Sequence, residues 1–188
     1  MATQSLLDIT GAVTQLRNGE VIAYPTEAVY GLGCDPRNDA AIGKLLTLKG
    51  RPASAGFVLI ASGYQQLAPW LGDVDEAARA KAMRTWPGPV TWLFPRGPGV
   101  SDLVAGEHDT VAVRITAHET CRALCEAFGS ALISTSANHR AAAPARSVGE
   151  VEDYFGDCLG GILAGALGGA RKPSEIRDLA SGDIVRPG

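Results

Sequence analysis

Two cations stand on either side of a glycine at the end of a predicted helix. Lys49 and Arg51 flank Gly50, and Pro52 prevents the helix of residues 38–48 from continuing. A lysine ammonium is a mobile point charge, whereas an arginine guanidinium donates to two oxygens at once, so the pair can hold one phosphate or carboxylate. The alternative is a solvated helix end, where both charges interact favourably with the helix dipole.

A polar cluster follows the apolar strand predicted at residues 131–134. Ser134, Thr135, Ser136 and Asn138 lie close together there. Their hydroxyls and amide can bind a sugar, a phosphate or an amino acid through neutral hydrogen bonds. The alternative is an N-cap or a turn, which uses the same residue types.

Three further polar residues are candidates for ligand contacts. Arg114 lies within the alternating segment TVAVRI, residues 110–115, which predicts a strand. Its guanidinium either points to solvent or anchors a carboxylate in a cleft. Ser174 follows a basic loop, and Arg186 lies near the last residue. Each of these residues is a weak signal by itself.

Several catalytic and binding motifs are absent from the sequence. It contains neither a G-x-x-x-x-G-K-[ST] phosphate loop nor a G-x-G-x-x-G fingerprint that opens a helix. No H-E-x-x-H motif or paired set of cysteines and histidines indicates zinc, so no protein ligand of a metal is predicted. His108, His118 and His139 are scattered, and we interpret them as inert. Glu27 and Asp35 could form an acid/base pair, but the sequence does not fix their geometry.

Short strands and helices must position these residues. Strands are predicted at 21–24, 57–60, 90–94, 110–115, 131–134 and 158–163, followed by a closing hairpin of 176–179 and 183–186. Helices are predicted at 5–18, 38–48, 65–71, 74–86, 118–128 and 148–155, the fourth with Asp73 as its N-cap. The segments 95–109, 139–146 and 165–173 are predicted loops. Gly31 and Gly33 allow the backbone to approach another backbone or a ligand closely.

The interleaved strands and helices predict an α/β protein of the α+β kind, a single domain of residues 1–188. Its core would be a twisted mixed sheet with helices packed on it. A length of 188 residues, 46% hydrophobic residues and 20% charged residues are those of an ordinary globular protein. The net charge of −3 gives no general attraction to nucleic acid or to an anionic membrane.

The cysteines and the N-terminal segment predict the cellular compartment. Cys34, Cys121, Cys125 and Cys158 form no C-x-x-C pair, and we interpret them as buried small hydrophobic residues in a reducing compartment. The first residues, MATQSLLDITGAV, lack the basic region and long apolar core of a signal peptide. No run is long enough for a membrane span. We therefore expect a cytoplasmic protein that has no membrane partner.

Seven sequence blocks occur in an order that identifies a family. They are PTEAVYGLGCD, KGRP, WPGPVTWLF, DTVAVRI, STSAN, PSEIRD and VRPG, and the resemblance that they carry runs over about residues 21–187. In this order they closely resemble the YrdC-like family, the threonylcarbamoyl-AMP synthases, in its short bacterial single-domain form. The family pattern K-x-R…S-x-N falls on Lys49, Arg51, Ser136 and Asn138. The resemblance implies the YrdC-like fold with a concave basic cleft.

The resemblance implies an enzyme that makes threonylcarbamoyl-AMP and pyrophosphate from L-threonine, bicarbonate and ATP. The product feeds the threonylcarbamoyl modification of the adenosine beside the tRNA anticodon, which implies downstream tRNA-threonylcarbamoyl transferase proteins as partners. Carboxylated threonine and the α-phosphate are both anions, so cations must bring them together, and the resemblance implies magnesium alongside ATP. No covalent nucleophile is evident, and catalysis would rest on positioning and charge stabilisation.

The resemblance also implies a role for each polar residue. Lys49 and Arg51 would be catalytic. The ATP site would contain Arg51, Thr110, Ser136, Asn138 and Arg186, and the threonine site would contain Thr26, Arg114, Ser134 and Ser174. The sequence departs from the family at Ala28, where the long branch has threonine, and most strongly in the basic loop 168–172. We assign that loop no role beyond closure over ATP.

An RNA-binding or ribosome-maturation factor is the alternative function. It would use a face of arginines to follow a phosphate backbone, namely Arg51, Arg114, Arg140, Arg146, Arg171 and Arg177. The sequence has few aromatic residues to stack on bases, no RNA-binding motif and an acidic charge balance, and all three argue against this function. The two functions are compatible, since one basic cleft could serve both.

Overall fold

The computed structural model describes residues 5–188, which form a sheet with helices packed against it. The strands are β1 (Leu6–Leu7), β2 (Ile22–Pro25), β3 (Tyr30–Gly33), β4 (Val58–Ala61), β5 (Val90–Pro95), β6 (Thr110–Ile115), β7 (Leu132–Ser136), β8 (Gly161–Leu163), β9 (Glu175–Asp178) and β10 (Ile184–Arg186). The α-helices are α1 (Ile9–Arg17), α2 (Asp39–Lys49), α3 (Tyr64–Leu67), α4 (Glu76–Met83), α5 (Asp102–Ala105), α6 (Glu119–Phe128) and α7 (Val148–Phe155). Within the described residues, no helix is both long and apolar enough to cross a membrane.

The strands lie side by side in the order β1-β8-β2-β3-β7-β4-β6-β5-β9-β10. Four neighbouring pairs are parallel, namely β1/β8, β2/β8, β4/β6 and β5/β9. The other neighbours are antiparallel. The predicted mixed sheet is therefore confirmed. Strands β2 and β4 flank helix α2 in the sequence, but β3 and β7 lie between them in the sheet.

Apolar side chains pack against both faces of the sheet. In β2, Ile22 and Tyr24 pack in the cluster that contains residues of α1 and α6, whereas Ala23 packs in the other cluster. Successive side chains of a strand point to opposite faces, which explains this division. The cluster that contains Ala23 also contains Leu45 of α2 and Trp92 of β5. Strands that carry predicted site residues are thus anchored by buried neighbours.

Gly33 allows β3 to lie close to β7 and to the ring of Tyr24. A Cβ atom at this position would overlap the carbonyl oxygen of Ile133 and lie 2.8 Å from Cε1 of Tyr24. The predicted close approach is confirmed here. The structure adds that Gly31 and Gly33 belong to a strand, which pairs with β2 and β7. The sequence pattern does not predict this strand, because a Y-G-L-G run has low strand propensity.

The N-terminal element differs from the prediction. Helix α1 begins at Ile9 instead of residue 5, because the carboxylate of Asp8 caps it by accepting a hydrogen bond from the Gly11 amide at 2.7 Å. Leu6 and Leu7 instead form a strand parallel to β8. Residues 1–4, part of the segment predicted to lack a signal peptide, lie outside the described residues.

Three other expectations need correction. Helix α4 is capped by Asp75 and not by Asp73, since the Asp75 carboxylate accepts a hydrogen bond from the Ala78 amide at 2.7 Å. The predicted loop 95–109 contains the short helix α5. Cys158 is exposed, whereas the other three cysteines are buried as predicted.

The predicted C-terminal hairpin is confirmed. Strands β9 and β10 pair antiparallel, with Ile184 opposite Arg177, and β9 adds to the edge of β5 in parallel. The hairpin therefore extends the sheet beyond β5. It also brings the end of the chain, including Arg186, next to Ser174, whose carbonyl oxygen accepts a hydrogen bond from Arg186 Nη2 at 3.0 Å.

Candidate active site

A cavity of about 490 Å³ lies over the central strands of the sheet. Residues of β4, β6 and β7 line it, together with the segment after β2, the segment after α2 and the C-terminal hairpin. Eight of the ten predicted site residues line this cavity: Thr26, Arg51, Thr110, Arg114, Ser134, Ser136, Ser174 and Arg186. The other two, Lys49 and Asn138, lie behind its wall. The fold thus brings together residues that are far apart in the sequence.

The pairing register of the central strands directs the polar side chains into the cavity. Ile60 of β4 lies opposite Arg114 of β6, and Val58 of β4 lies opposite Ser134 of β7. All four of these residues line the cavity. Because strand side chains alternate between faces, Thr110 shares the face of Arg114. The alternation of the TVAVRI block therefore places two polar residues on one face.

Arg51 enters the cavity because helix α2 ends in a left-handed glycine. Gly50 has φ 56° and ψ 35°, a conformation that glycine adopts with little strain. The chain then turns, and the Arg51 guanidinium lies 5.3 Å from the centre of the Phe57 ring. Its Nη2 donates to the Ala55 carbonyl oxygen at 3.0 Å. Its Nε is buried without a hydrogen-bond partner among residues 5–188.

Arg51 and Arg186 form a pair of cations without a nearby counter-ion. Neither guanidinium takes part in an ion pair within the described part of the chain. Burial lowers the pKa of Arg51, and the charge of Arg186 lowers it further. Two guanidinium groups that repel each other and keep free N–H donors favour the binding of an anion such as a phosphate.

Arg114 is buried and is held by Glu27. Its Nη1 donates to Oε1 of Glu27 at 2.6 Å, and the two side chains are only 8% and 17% exposed. Its Nε is buried and has no hydrogen-bond partner among the described residues. Nε and Nη2 form one edge of the guanidinium, the edge that binds a carboxylate through two parallel hydrogen bonds. Of the two orientations predicted for Arg114, the structure shows the one that faces a cleft.

Glu27 is an ionised carboxylate at neutral pH. Burial alone would raise its pKa, but the charge of Arg114 and the hydrogen bonds from Arg114 and Thr116 lower the pKa to about 2. The proposed acid/base pairing of Glu27 with Asp35 is not formed, since Asp35 pairs with Arg37 at 2.9 Å. Glu27 therefore acts as the counter-ion of Arg114 and is too weak a base to accept a proton at neutral pH.

Lys49 does not face the cavity. Its residue is 7% exposed, and Nζ donates to the carbonyl oxygens of Ser136 at 2.6 Å and Asn138 at 2.5 Å, and to Oδ1 of Asn138 at 2.9 Å. These contacts use all three hydrogens of the ammonium group. Burial, and then the charge of Arg51, lower the pKa of Lys49 to about 8. The hypothesis of a solvated helix end is wrong for Lys49, and its catalytic role stays a prediction.

Asn138 completes this arrangement behind the wall. Its Oδ1 also accepts a hydrogen bond from the Ser136 hydroxyl at 2.6 Å. Its Nδ2 donates to the carbonyl oxygens of His139 at 3.0 Å and Ala142 at 2.7 Å. The Asn138 amide thus has protein partners for both its oxygen and its nitrogen. Lys49 and Asn138 together fasten the end of β7, and Ser136 is the member of this group that reaches the cavity.

The remaining hydroxyl groups differ in whether they already have a hydrogen-bond partner in the protein. Thr26 donates to the Val29 carbonyl oxygen at 2.7 Å, and the Ser174 hydroxyl lies 2.9 Å from the Thr91 hydroxyl. The hydroxyl of Thr110 has no hydrogen-bond partner within residues 5–188, although its residue lines the cavity. Thr110 is therefore available to neutral groups of a ligand. The Ser136 proton is directed at Asn138 Oδ1, so Ser136 can only accept a hydrogen bond from a ligand. Thr26 shapes the turn after β2.

Several residues of the cavity are not assigned a role from the sequence. His108, interpreted as inert, lines the cavity near Thr110, and Lys172 lines it from the basic loop. The loop lies there because the Gly168 amide donates to the Thr26 carbonyl oxygen at 3.1 Å and the Ala170 amide donates to the Glu27 carbonyl oxygen at 2.8 Å. No local pattern marks these backbone contacts, so only the fold identifies them.

The arginines of the alternative RNA-binding hypothesis do not form one surface. Arg51 and Arg114 line the cavity, and Arg114 is buried. Arg177 is paired with Glu175. The other three are exposed: Arg140, Arg146 and Arg171. A continuous track for a nucleic-acid backbone would need all of them to reach solvent on one side.

Comparisons with known proteins identify relatives of this chain. Residues 14–188 match the Sua5/YciO/YrdC family, which is described as "Telomere recombination". A protein of Halorhodospira halophila named threonylcarbamoyl-AMP synthase is 50% identical over 175 residues, which cover 93% of this chain and 92% of that protein. A protein of the same name from Serratia proteamaculans is 45% identical over 190 residues and covers 100% of both chains.

Solved structures show the same fold. P. abyssi Sua5 complexed with L-threonine superposes with a TM-score of 0.86 at 32% identity over 92% of this chain, which spans 51% of that protein. E. coli YciO superposes with a TM-score of 0.84 at 25% identity, covering 96% of this chain and 88% of that one. The YrdC-like fold predicted from the sequence is confirmed. By the family match and by these relatives, the chain belongs to the Sua5/YciO/YrdC family.

Proposed function

We propose that this protein is an L-threonylcarbamoyladenylate synthase, a nucleotidyltransferase that converts L-threonine, bicarbonate and ATP into threonylcarbamoyl-AMP and pyrophosphate. Relatives of nearly half identical sequence carry that name, and a relative of the same fold is described in complex with L-threonine. The observation that carries the proposal is the cavity itself. Two arginines without counter-ions face it, and a third, Arg114, lines it with donors that have no partner among the described residues.

The reaction joins two anions. The amino nitrogen of threonine forms a bond to the carbon of bicarbonate, and water is lost, which gives a carbamate. A carbamate oxygen then attacks the α-phosphorus of ATP, the bond from that phosphorus to the bridging oxygen breaks, and pyrophosphate leaves. Negative charge accumulates on the phosphate oxygens during the second step, so fixed cations accelerate it most effectively.

The cavity residues divide between the two substrates. Arg51 and Arg186 hold the phosphates of ATP, with a hydrogen bond from Thr110. The Ser136 oxygen, whose proton is directed at Asn138, accepts a hydrogen bond from a donor group of ATP. Lys49 and Asn138 support the ATP site by fastening the end of β7 from behind. The threonine carboxylate binds the free edge of Arg114. The threonine site also includes Thr26, Ser134 and Ser174, which line the same cavity.

Magnesium enters this proposal with ATP. Among the described residues that line the cavity, Glu27 is the one with a carboxylate side chain. One of its two oxygens already accepts three hydrogen bonds. Among residues 5–188, no group of three His, Cys, Asp or Glu side chains is placed to hold a metal ion. Magnesium often binds substrate phosphates and keeps several waters instead of using a protein cage. We therefore assign magnesium to the MgATP substrate.

The reactivity of the product indicates which proteins must act after this one. Threonylcarbamoyl-AMP is a mixed anhydride that reacts readily with nucleophiles, including water, so a transferase must consume it promptly. We propose tRNA-threonylcarbamoyl transferase proteins as the downstream partners and the cytoplasm as the location of both. Residues 1–188 act as a single catalytic domain in this proposal.

The test is pyrophosphate release from MgATP by the purified protein, with L-threonine and bicarbonate each left out in turn. We expect release to need both substrates and mass spectrometry to detect the threonylcarbamoyl adenylate. Release that is indifferent to threonine would contradict the proposed function. A control with L-serine, which lacks the methyl group of threonine, measures how strongly the site selects its amino acid.

A further inference from the structure

We infer that Glu27 is a positioning residue, which fixes the guanidinium of Arg114 in the orientation that receives the carboxylate of the amino-acid substrate. This inference rests on the proposed function and adds Glu27, for which the sequence suggests only an acid/base pair with Asp35 that the structure does not form. Glu27 does not itself need to touch the substrate for this role. It acts by restricting Arg114, a side chain that otherwise has many rotamers.

Three donors converge on one oxygen of Glu27. Oε1 accepts from Arg114 Nη1 at 2.6 Å, from the Thr116 hydroxyl at 2.7 Å and from the Ala117 amide at 3.2 Å. The oxygen of the Thr116 hydroxyl accepts a hydrogen bond from the His118 amide at 3.1 Å. This contact orients the hydroxyl, and its proton points at Oε1 of Glu27. The carboxylate is thus held by the start of the segment after β6.

The backbone of Glu27 is fixed as well. Its carbonyl oxygen accepts a hydrogen bond from the Ala170 amide at 2.8 Å, and the carbonyl oxygen of Thr26 accepts one from the Gly168 amide at 3.1 Å. A Cβ atom at Gly168 would lie 3.0 Å from Cα of Glu27, so the basic loop packs directly on this residue. Both ends of Glu27 are therefore held before a substrate arrives.

This network determines which donors of Arg114 remain. Nη1 is used by Glu27, whereas Nε is buried without a partner in the described chain. The guanidinium is planar, so fixing Nη1 also fixes the plane and the edge formed by Nε and Nη2. A buried donor without a partner is unfavourable unless a ligand supplies the acceptor. Nη2 has no hydrogen-bond partner among the described residues and, unlike Nε, is not enclosed, so the carboxylate approaches this edge at Nη2.

Glu27→Gln tests the inference, because it keeps the size of the side chain and removes its charge. We expect KM for threonine to rise about tenfold or more, since small misplacement of a binding group has large kinetic effects. KM for MgATP should change less than about twofold, because Arg51 and Arg186 are untouched. The matched control is Glu20→Gln, which removes an exposed ion pair with Lys44 of 2.9 Å and should leave both constants unchanged.

A second variant covers the case in which Glu27→Gln does not fold. Thr116→Val removes one donor to Glu27 and leaves the ion pair with Arg114 in place. We expect a smaller rise in KM for threonine, about threefold, with no change in KM for MgATP. Circular dichroism and thermal unfolding of each variant establish that the folded protein is being compared.

An amino alcohol separates positioning from a general loss of structure. Threoninol has the amino and hydroxyl groups of threonine but no carboxylate, so its binding does not use Arg114. We expect its inhibition constant against threonine to be the same in wild-type protein and in Glu27→Gln, within about twofold. In the double variant Glu27→Gln with Arg114→Gln, KM for threonine should equal that of Arg114→Gln alone, within about threefold.

Each result bears on one hypothesis. If wild-type protein releases pyrophosphate with threonine and Glu27→Gln has an unchanged or lower KM for threonine, the positioning role is wrong and the proposed function stands. An equal loss of threonine and threoninol binding would also overturn it, because the effect would not pass through the carboxylate. If wild-type protein shows no threonine-dependent release, the proposed function fails first.

Discussion

The three arginines of the cavity differ in what they already bind. Arg114 is paired with Glu27, whereas Arg51 and Arg186 donate only to carbonyl oxygens, of Ala55 and Ser174 respectively, among the hydrogen bonds of the described chain. Arg51 is partly buried and Arg186 is exposed, and a cation without a counter-ion keeps its N–H donors available for an anion. The two unpaired arginines are therefore suited to a ligand with several negative charges, and the neutralised one to a single carboxylate.

Arg51→Ala should abolish most of the activity without unfolding the protein. We expect threonine-dependent pyrophosphate release to fall at least about 100-fold, because a fixed cation next to the reacting phosphate is lost. The free energy of unfolding should change by less than about 1 kcal/mol, since the guanidinium has no ion pair to lose. The assay is pyrophosphate release together with urea unfolding, and exposed Arg17→Ala is the control. Loss of cooperative unfolding in Arg51→Ala would mean that the residue is structural.

The lowered pKa of Lys49 predicts that the stability of the protein depends on pH. Its pKa is lowered from 10.5 to about 8 in the folded protein. Between these pH values the unfolded chain holds the proton and the folded protein does not, so the stability of the folded protein rises with pH. Relative to Lys49→Met, wild-type protein should gain about 2 kcal/mol of unfolding free energy between about pH 7.5 and 9.5.

Urea unfolding of both proteins at the two pH values measures this difference. Using the difference cancels the other groups that titrate in the same range. The opposite result, a relative loss of stability with rising pH, would mean that the three oxygen contacts of the ammonium outweigh its burial. Lys49→Met should also lower activity, because the carbonyl oxygens of Ser136 and Asn138 lose their donor.

At the scale of elements, the caps of helix α2 decide where Arg51 points. Asn38 begins the helix by accepting a hydrogen bond from the Ala41 amide at 3.1 Å. Gly50 ends it, and its amide donates back to the Thr47 carbonyl oxygen at 3.2 Å. The predicted helix of residues 38–48 agrees with both boundaries to within one residue, although that prediction rests on Pro52 and not on these caps. Strand β3 is not predicted, because its glycines act through contacts with distant residues.

A pair of glycine substitutions compares a glycine that is crowded by a neighbouring strand with a helical glycine that has open space around it. Gly33→Ala should destabilise the protein by more than about 2 kcal/mol, because its Cβ would overlap the Ile133 carbonyl oxygen and β3 would have to move away from β7. Gly43→Ala, within α2, should stabilise the protein by about 0.5–1 kcal/mol, because the added Cβ meets no atom within 4 Å. Urea unfolding measures both. Equal effects of the two variants would show that close strand packing at Gly33 is not required.

At the scale of the whole molecule, the sequence predicts the family, the mixed sheet and most of the cavity residues. Those predictions depend on alternation within strands, which is a local property, and on the order of seven blocks along the chain, which carries the resemblance to a family. It does not predict that Lys49 and Asn138 lie behind the wall, because both positions depend on the packing of α2 against the end of β7. The role of Glu27 also depends on a distant partner, Arg114, and on the segment after β6. Contacts across the fold carry no signal in one sequence.

The distribution of charge over the molecule bears on the alternative RNA-binding function. The net charge is −3, Arg114 is buried and Arg177 is paired with Glu175. Of the arginines in that hypothesis, the three at positions 140, 146 and 171 are exposed and without an ion pair among residues 5–188. That hypothesis therefore leaves three of its six arginines free to meet an RNA backbone.

The salt dependence of tRNA binding measures the number of phosphate contacts. With three exposed arginines, we expect a slope of log K against log salt of about −2, and weak binding near physiological salt. The double variant Arg140→Ala with Arg146→Ala should leave the contact of Arg171 and a slope of about −0.7. Arg51→Ala should leave the slope unchanged, because Arg51 faces the substrate cavity. A slope steeper than about −5 that Arg51→Ala makes shallower would instead mean that the cavity itself follows an RNA backbone.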